Sequence, residues 1–555
     1  MQSNYTGHIG RAEWRWLLPI IALLVIIAFL PFLGVALRRA DNPDWYFMGA
    51  LHQHVDTAAH LSRMVQGMDG EGLVHFQHTP EPHKSALLYP LYIVLGYLTA
   101  ITQTSNVMIF HVARIFAAFF MYPALYHLGA SIWTKVRSRR IFFIVLSCAS
   151  GLGWLLAPIM PDTLSPDLTI AAGYPFLSTV INVHYPLTIT CLALLASELI
   201  RVLRPGMTED PAATNGGFVL VTTGILLTFL YIETVLPITL GFIGCILMST
   251  LLRRKLDGRE WRWLLWLIIP ILPILAYFLI TLNANPAVFA WLEQRSPETP
   301  SPILILAALG FPLLIAIPGL WRAIRRFEAD GDRFMLMWLL AMLICVFLPL
   351  PIKQYFLAGV MIPVAYFVTR AVEDFWFQYI PRRRRAFVYI LTVPVLAFSN
   401  LYALFIPVAT ALVTDTPNNA MLLEQEYVLA FNWLESRTTS DDVILAAPSI
   451  GTWIPYWTGA RSYYGHPSET VDADKRRSLS IQWYRADTPA APVCEQFDDI
   501  QDGLEGRFTV HYVLLGPRER EIGAAACIEN LALMRRFGQV SVYATRFQTF
   551  FREQE

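Results

Sequence analysis

The sequence is poor in charged residues and carries no excess of either sign. Only 15% of its 555 residues are Asp, Glu, Lys or Arg, and 42 basic side chains balance 42 acidic ones. Soluble proteins carry about a quarter charged residues, so this composition argues against a soluble chain. The formal net charge of zero gives no general attraction to nucleic acid. No P-loop, G-x-S-x-G elbow or zinc-ribbon spacing occurs, which excludes the simplest motifs for nucleotides, acyl hydrolysis and zinc.

Long apolar runs are what the sequence has in quantity. Hydrophobic residues make up 55% of the chain, and runs that could span a bilayer recur from residue 16 to residue 410. We therefore predict a polytopic α-helical membrane protein with about 11 transmembrane helices. The candidate spans are 16–37, 106–131, 141–158, 184–203, 217–232, 235–252, 262–283, 301–320, 333–350, 354–373 and 385–410. The first run is too long for a cleavable signal peptide, so we expect a retained signal anchor.

Clusters of Lys and Arg set the expected orientation. They lie at 11–15, 134–140, 201–204, 253–262, 321–326 and 381–385. All of them fall on one side of the membrane if the short apolar stretch 86–102 does not cross. We therefore expect 86–102 to be a re-entrant or surface-lying helix within a long first outside loop, 38–105. The N-terminus is then cytoplasmic and the C-terminal domain is extracytoplasmic.

The last part of the chain is predicted to be a separate domain. We divide the sequence into a transmembrane domain, 1–414, and an extracytoplasmic α/β domain, 415–555. Helical periodicity covers 428–438, and strands are predicted in the following segments: 441–449, 510–516 and 541–547. Cys494 and Cys527 are the two cysteines of this domain, and an oxidising compartment would allow a disulfide between them.

The first outside loop contains an unusual concentration of histidine. Six of the 12 histidines lie between residues 52 and 83, beginning with the stretch ALHQHVDTAAH. His52, Asp56 and His60 are spaced i, i+4, i+8, which would place them on one stripe of a helix. Such a stripe suggests a metal site, although zinc generally needs a third or fourth ligand, which His83 or His184 would have to supply. The alternative is a solvated loop helix whose polar residues need no special cause.

Asp56 is the best candidate for chemistry in this loop. A carboxylate at the lipid–water boundary could take a proton from an acceptor hydroxyl. Nearby cations, namely Arg63, His83 and Lys84, could neutralise a lipid-linked phosphate leaving group. Lys353, in the outside turn PLPIKQY, is a further candidate for phosphate contact, with snorkelling as the alternative.

Two more polar residues are expected near the outer ends of spans. Glu233, in YIET, is placed to face an outside cavity. His184, in NVHYPL, could face the same cavity, although a packed and satisfied histidine is the competing interpretation.

The sequence resembles the GT-C class of glycosyltransferases. The resemblance lies in the signal anchor, the long first outside loop with an early acidic residue, the non-crossing helix, the many spans and the C-terminal outside domain. The stretches that carry it are VDTAAHLSRMVQG, SALLYPLYIVLGYL, HVARIF, SGLGWL, PDLTIAAGYPFLSTVINVHYPL and TGARSYYGHPSETVDADK. The resemblance implies inverting transfer of a sugar from a polyprenyl-phosphate-linked donor. The acceptor, a glycan, lipid or protein, would lie outside the cytoplasm, with membrane lipids as surroundings and no nucleic acid partner.

The resemblance also implies roles for particular residues. The class places an acidic catalytic base in the first outside loop, which matches Asp56, with Asp44 as the fallback. The second outside loop often supplies further acidic residues, here Asp162 and Asp167. The GHPSET stretch, with His466 and Glu469, matches the relatives and suggests acceptor binding or a structural turn. No cofactor is certain, because some members of the class require a divalent metal such as Mg²⁺ or Mn²⁺ and others do not.

One alternative function is left open by the sequence. The relatives tend to carry a glutamate in the second outside loop, where this chain has Ala171, Ala172 and Gly173. The chain could accordingly be a non-catalytic membrane scaffold or transporter component built on a degenerate GT-C fold. No inverted repeat of the kind common in transporters is visible in the sequence.

Overall fold

The fold is described from a computed structural model, and its described residues form two compact units. These residues are 8–40, 42–160, 164–204, 214–253, 257–295, 299–328, 331–413, 421–489, 491–494 and 508–545. Unit 1 comprises Met1–Pro31, His111–Phe278 and Glu298–Ile406. Unit 2 comprises Phe32–Phe110, Leu279–Pro297 and Pro407–Glu555. The predicted boundary at residue 414 lies outside the described residues, so the division into 1–414 and 415–555 stays a prediction.

Apolar helices long enough to cross a membrane recur along the chain. Among the described residues seven helices qualify by length and composition, and up to nine do if each of two bent pairs forms one span. The seven are Arg11–Arg39, Asn106–Ile132, Val136–Leu156, His184–Leu203, Ile232–Leu252, Pro302–Arg326 and Lys353–Tyr379. The bent pairs are Gly258–Ile268 with Leu272–Ala284 and Phe387–Leu396 with Phe398–Leu412. The chain is a multi-pass α-helical membrane protein.

Among the described residues, seven to nine helices meet the length and composition of a span, where the sequence predicts about 11. The candidates 217–232 and 333–350 correspond to the helices Asn215–Leu230, of 16 residues, and Asp332–Cys345, of 14 residues. The stretch 86–102 forms the helix Pro90–Thr102, of 13 residues. At 1.5 Å per residue the helix Pro90–Thr102 is only about 20 Å long, which is shorter than a hydrocarbon core of about 30 Å. It is therefore too short to cross alone, as the loop charges predict.

Several shorter elements interrupt or connect the spans of unit 1. The segment Lys353–Tyr379 is composite, with its α-helical part at Met361–Ala371 and a wide π-helical turn at Val372–Trp376. The α-helical part of the third span is Val136–Cys148, and that of the last pair begins with Arg385–Leu396 and continues in Phe398–Val413. The remaining elements are Gly153–Leu156, Pro166–Thr169, Ala171–Gly173, Pro175–Val180, Ile232–Thr234, Val235–Arg253, Lys353–Leu357, Phe377–Tyr379 and Arg382–Arg384.

Unit 2 contains the strands, and its main sheet confirms the predicted α/β domain. The strands are β1 Trp45–Phe47, β2 Leu422–Glu424, β3 Val443–Leu445, β4 Arg461–Ser462, β5 Tyr512–Leu515, β6 Ala532–Phe537 and β7 Val540–Ala544. The five-stranded sheet has the order β4-β3-β5-β7-β6, in which β3 is parallel to both of its neighbours and β7 is antiparallel to β5 and β6. β1, from the first loop, pairs antiparallel with β2.

Helices and a disulfide complete unit 2. The helices are His54–Met68, Pro90–Thr102, Pro286–Gln294, Gln425–Glu435, Pro448–Gly451, Ile454–Thr458, Ala473–Arg485, Pro517–Ile522 and Ala526–Asn530. Cys494 and Cys527 form the disulfide that the sequence allowed, with their Cα atoms 5.4 Å apart. Both cysteines pack in the core under the sheet, together with Tyr463, Trp483 and Tyr484.

Two glycines set the position of the loop helix, His54–Met68. A Cβ atom on Gly67 would lie 2.2 Å from the carbonyl oxygen of Ile93, and one on Gly96 would lie 2.1 Å from that of Met64. Only glycine permits such a close approach of two backbones. The loop helix therefore packs directly on the helix Pro90–Thr102, and His60 stacks on Tyr92 with 3.9 Å between ring centroids.

Candidate active site

Asp56 and His466 form the exposed end of a polar cluster in unit 2. Asp56 lies in the first turn of the loop helix, and its Oδ1 is 3.3 Å from Nε2 of His466. The Asp56 side chain is 49% exposed, whereas that of His466 is 4% exposed. A buried imidazole therefore contacts a carboxylate that solvent, or a substrate, can reach.

The turn around His466 fixes the position of its proton. The backbone N–H groups of Ser468 and Glu469 lie 3.0 Å and 3.2 Å from Nδ1 of His466 and can only donate to it. A neutral His466 consequently carries its proton on Nε2 and donates it toward Asp56. Gly465 is required beside this turn, because a Cβ atom there would lie 2.3 Å from Oγ of Ser462.

The surroundings of Asp56 keep its carboxyl group ionised. Burial of the carboxyl acts to raise its pKa. The hydrogen bond to His466 and the electrostatic interactions with His466 and Arg295 act in the opposite direction and prevail, so the pKa of Asp56 is lowered from its ordinary 3.8. Asp56 is therefore an ionised carboxylate at neutral pH, as a general base has to be.

A buried ion pair lies at the other end of the cluster. Arg63 of the loop helix is 2% exposed and donates to Oε1 of Glu469 and to Nδ1 of His60. Oε2 of Glu469 is 3.5 Å from Nδ1 of His78, which is also buried. Burial acts to raise the pKa of Glu469, but the charge of Arg63, followed by the contacts with both histidines, lowers it far below the ordinary 4.5. Arg63 and Glu469 thus fasten the loop helix to the turn that holds His466.

His83 and Lys84 have different surroundings from those of Arg63. Nδ1 of His83 donates to the carbonyl oxygen of Glu81 at 2.8 Å, and its Nε2 accepts from the backbone N–H of Phe76 at 3.0 Å. Both ring nitrogens are engaged as in a neutral imidazole, and burial lowers the pKa of His83. Lys84 is exposed, and its carbonyl oxygen accepts from Nδ2 of Asn285 at 2.6 Å. Of these two residues only Lys84 has the charge that phosphate contact needs.

Arg295 is a charged neighbour of Asp56 that the sequence analysis missed. It directly follows the helix Pro286–Gln294, its guanidinium lies 5.0 Å from the ring centroid of Trp291, and its charge lowers the pKa of Asp56. Gln294 fixes this helix end by donating to the carbonyl oxygen of Thr470 at 2.9 Å. Like Lys353, Arg295 is a cation in an expected outside segment, between the predicted spans 262–283 and 301–320, so the same signal marks it in the sequence.

The predicted histidine stripe does not exist as a metal site in the described part of the chain. The loop helix begins only at His54, and Gln53 before it has a left-handed backbone with φ of 42°, so His52 lies off the helix. His60 is on the helix, but its Nδ1 accepts from Arg63 at 2.6 Å, which places a cation where a metal ion would bind. Among the described residues no group of three or more His, Cys, Asp or Glu side chains is arranged to hold a metal ion. The combination of His52, Asp56 and His60 is therefore wrong.

Three predicted residues of unit 1 lie around Tyr231. The His184 ring stacks on Tyr231 with 6.2 Å between centroids, and Tyr231 directly precedes the short turn that contains Glu233. The Tyr231 ring also meets Tyr355, two residues after Lys353, at 6.2 Å. His184 and Glu233 are buried and Lys353 is half-buried. Their catalytic or binding roles stay predictions.

The other acidic candidates have distinct positions. Asp167 is fully buried in unit 1 and accepts from the backbone N–H of Gly153 at 3.0 Å, and burial raises its pKa. Asp44 is exposed in unit 2 just before β1, and its carbonyl oxygen accepts from the backbone N–H of Gln425 at 2.9 Å. Asp162 lies outside the described residues.

Comparison with known proteins yields likenesses in structure. No protein-family model matches the sequence, and no curated protein does. The structure of ArnT from Cupriavidus metallidurans bound to undecaprenyl phosphate matches at 12% identity with a TM-score of 0.52, over 95% of this chain and 98% of that one. The same protein in the apo state matches at 12% identity and a TM-score of 0.52, over 96% and 98% of the two chains.

An oligosaccharyltransferase from Archaeoglobus fulgidus is also similar, at 13% identity and a TM-score of 0.49, over 88% of this chain and 67% of that one. The likeness to ArnT extends over nearly the whole of both chains, which fits the resemblance in sequence pattern. At such low identity the likeness concerns architecture, and the chemistry has to be argued from the site. The chain shares the fold of ArnT from Cupriavidus metallidurans.

Proposed function

We propose that the protein is a membrane glycosyltransferase that moves a sugar from a polyprenyl-phosphate-linked donor to an acceptor hydroxyl on the extracytoplasmic side. The observation that carries the proposal is the Asp56–His466 pair, an accessible carboxylate held by a histidine of defined tautomer. The fold supports the choice of donor, because the similar ArnT structure contains undecaprenyl phosphate. Accessibility, charge and position of Asp56 all suit a general base.

The proposed reaction is a single displacement with inversion. The acceptor oxygen forms a bond to the anomeric carbon while the bond from that carbon to the phosphate oxygen of the donor breaks. The acceptor proton passes to Asp56, and the lipid phosphate leaves with the bonding electron pair. His466 positions Asp56 through its Nε2–H and does not itself contact the reacting atoms.

The leaving phosphate requires positive charge near Asp56. We assign this role to Arg295, because its charge acts on Asp56, and keep the exposed Lys84 as a second candidate. Arg63 is instead a positioning residue, since it is buried against Glu469 and His60. The roles that the sequence suggests for Lys353, His184 and Glu233 of unit 1 stay predictions.

The test is sugar transfer by the purified protein, offered a panel of polyprenyl-phosphate sugars. We expect turnover with at least one donor and its loss in Asp56→Asn, with folding and donor binding retained. Asp69→Asn, at the exposed end of the same helix, is the matched control and should keep turnover. Loss of turnover in Asp44→Asn but not in Asp56→Asn would move the base to Asp44. Donor binding without turnover by the native chain would favour the scaffold or transporter component.

A further inference from the structure

Unit 1 contains a large apolar cavity that the proposed reaction does not use. Its volume is about 830 Å³, and it lies between the helices Val136–Cys148, Pro302–Arg326, Met361–Ala371 and Arg385–Leu396. Its walls are mainly aliphatic, with the following side chains among them: Ile141, Ile144, Val145, Val368, Val388 and Val393. Each of these helices belongs to a candidate membrane span. A cavity of this lining in the hydrocarbon region suits lipid chains and does not suit a polar ligand.

One end of this cavity is basic. Arg137 and Arg140 come from the start of the helix Val136–Cys148, and Arg385 is the first residue of the helix Arg385–Leu396. The three guanidinium groups therefore lie beside two helix N-termini, which themselves carry partial positive charge. Cations are unfavourable at such positions unless an anion binds there. The cavity is thus amphipathic, with an apolar body and an arginine-rich rim.

The polar groups of the rim are only partly satisfied by the protein. Arg137 makes two hydrogen bonds of 2.8 Å to Glu373, and Arg385 donates to the carbonyl oxygen of Phe377 at 2.8 Å. In contrast, Nε of Arg140 and the hydroxyl of Tyr389 are buried, and neither has a hydrogen-bond partner among the described residues. Buried polar groups without a partner are costly, and a rotamer change that turns both toward the cavity would let an oxygen-rich anion satisfy them.

We propose that this cavity binds one anionic glycerophospholipid. Its acyl chains lie along the aliphatic walls, and its phosphate accepts hydrogen bonds from Arg140 and Tyr389 beside Arg385. Basic pockets between membrane helices are typical sites for anionic lipid head groups. The basic segments 134–140 and 381–385 belong to the clusters expected on the cytoplasmic side, opposite to the proposed sugar transfer. This position favours a structural lipid of the cytoplasmic leaflet over the polyprenyl-phosphate donor.

The test is native mass spectrometry of the intact protein, equilibrated with equal amounts of phosphatidylglycerol and phosphatidylcholine. We expect one phosphatidylglycerol to be retained in preference to phosphatidylcholine. In the double variant Arg140→Gln/Tyr389→Phe its occupancy should fall about tenfold, because two donors to the phosphate are lost. Arg383→Gln is the matched control, since Arg383 is exposed, belongs to the same basic cluster as Arg385 and does not line the cavity.

A second variant separates shape from charge. Ile144→Trp fills the apolar body without changing the rim, and it should also reduce phosphatidylglycerol occupancy about tenfold. Equal retention of the two lipids by the native protein would overturn the proposal, and this result does not depend on any variant folding. An equal loss in Arg383→Gln would show that surface charge alone attracts the lipid. Displacement of phosphatidylglycerol by an equal amount of polyprenyl phosphate would show that the cavity belongs to the donor.

Discussion

The two ends of the polar cluster in unit 2 each pair a carboxylate with a histidine, but their access to solvent differs. The Asp56 side chain is 49% exposed and lies 3.3 Å from His466. The Glu469 side chain is 5% exposed and lies between Arg63 and His78. The pKa of both carboxyl groups is lowered, in each case against the raising effect of burial. Their protonation is thus similar, and access decides which of them can meet a substrate.

Glu469 connects the two ends of the cluster. Its carboxylate holds Arg63 of the loop helix, while its backbone N–H donates to Nδ1 of His466 at 3.2 Å. The buried end therefore positions the exposed end, because one residue fixes both the loop helix and the tautomer of His466. Variants at the exposed end should affect turnover, and variants at the buried end should affect stability first.

The largest expected effect is on turnover in Asp56→Asn. The substitution removes the proton acceptor and retains the size of the side chain, so we expect a loss of about 10²–10⁴-fold in kcat. The melting temperature should stay close to that of the native protein, since Asp56 is half exposed. Initial rates of sugar transfer, together with a thermal melt in the same detergent, check both statements. A loss of less than threefold would place the base elsewhere.

The next largest effect is on stability in Glu469→Gln. Removing one partner of a buried ion pair leaves Arg63 uncompensated, so we expect a loss of about 3–5 kcal/mol in the free energy of unfolding. Denaturant unfolding of the purified protein measures it. Glu71→Gln serves as the control, because Glu71 is an exposed carboxylate in the same loop.

A double variant sharpens this prediction. Arg63→Met/Glu469→Leu replaces both charges with apolar side chains, which should restore most of the stability lost in the single variant. A cost below about 1 kcal/mol for Glu469→Gln alone would mean that the pair behaves like an exposed salt bridge and does not anchor the loop helix.

The local features of unit 2 could be predicted from the sequence. The segments 441–449 and 510–516 contain β3 and β5, and 541–547 overlaps β7, because short apolar runs bounded by turn residues are typical of buried strands. The Cys494–Cys527 pair could be named because these are the two cysteines of the predicted tail domain. Apolar run length also predicted most of the spans. Each of these features depends on residues that are close in sequence or few in kind.

The site itself could be predicted only in part. Asp56, His466 and Glu469 were named from short motifs, but Arg63 and Glu469 are 406 residues apart, and no sequence pattern indicates that they pair. Clustering of histidine in the sequence was misleading, because the loop helix starts at His54 and thus leaves out His52. Pairings across such distances depend on tertiary packing. The sequence therefore suggests phosphate contact for Arg63, whereas the structure pairs it with Glu469.

A smaller effect is expected for His466, which acts on Asp56 through one hydrogen bond. His466→Phe removes the donor, and we expect turnover to fall about 10–100-fold, the range for one hydrogen bond to a charged group. His466→Gln retains an N–H donor and should recover part of the activity. Rates for the two variants at saturating donor check the difference. Equal losses in both would mean that His466 supports the fold and does not orient Asp56.

The effect that is smallest at neutral pH is a shift in the pH dependence of the transfer rate. It tests the comparison of Asp56 with Glu469 most directly. The pKa of Asp56 is lowered below 3.8, so the native protein should keep its base ionised to a lower pH than an ordinary aspartate would. In His466→Phe, burial of the carboxyl acts without the opposing hydrogen bond, and the acid limb of the rate profile should move to higher pH.

The pKa of Glu469 is also lowered, but its titration is measured through stability and not through the rate. Its lowered pKa contributes stability that is complete above the ordinary 4.5 and is lost as the pH falls through the folded-state value. In rate and melting profiles of the two proteins, His466→Phe should therefore move the rate profile strongly and the acid dependence of stability only weakly, because Arg63 remains and is the largest influence that lowers the pKa of Glu469. An equal shift of both profiles would mean that the exposed and buried carboxylates titrate as one unit.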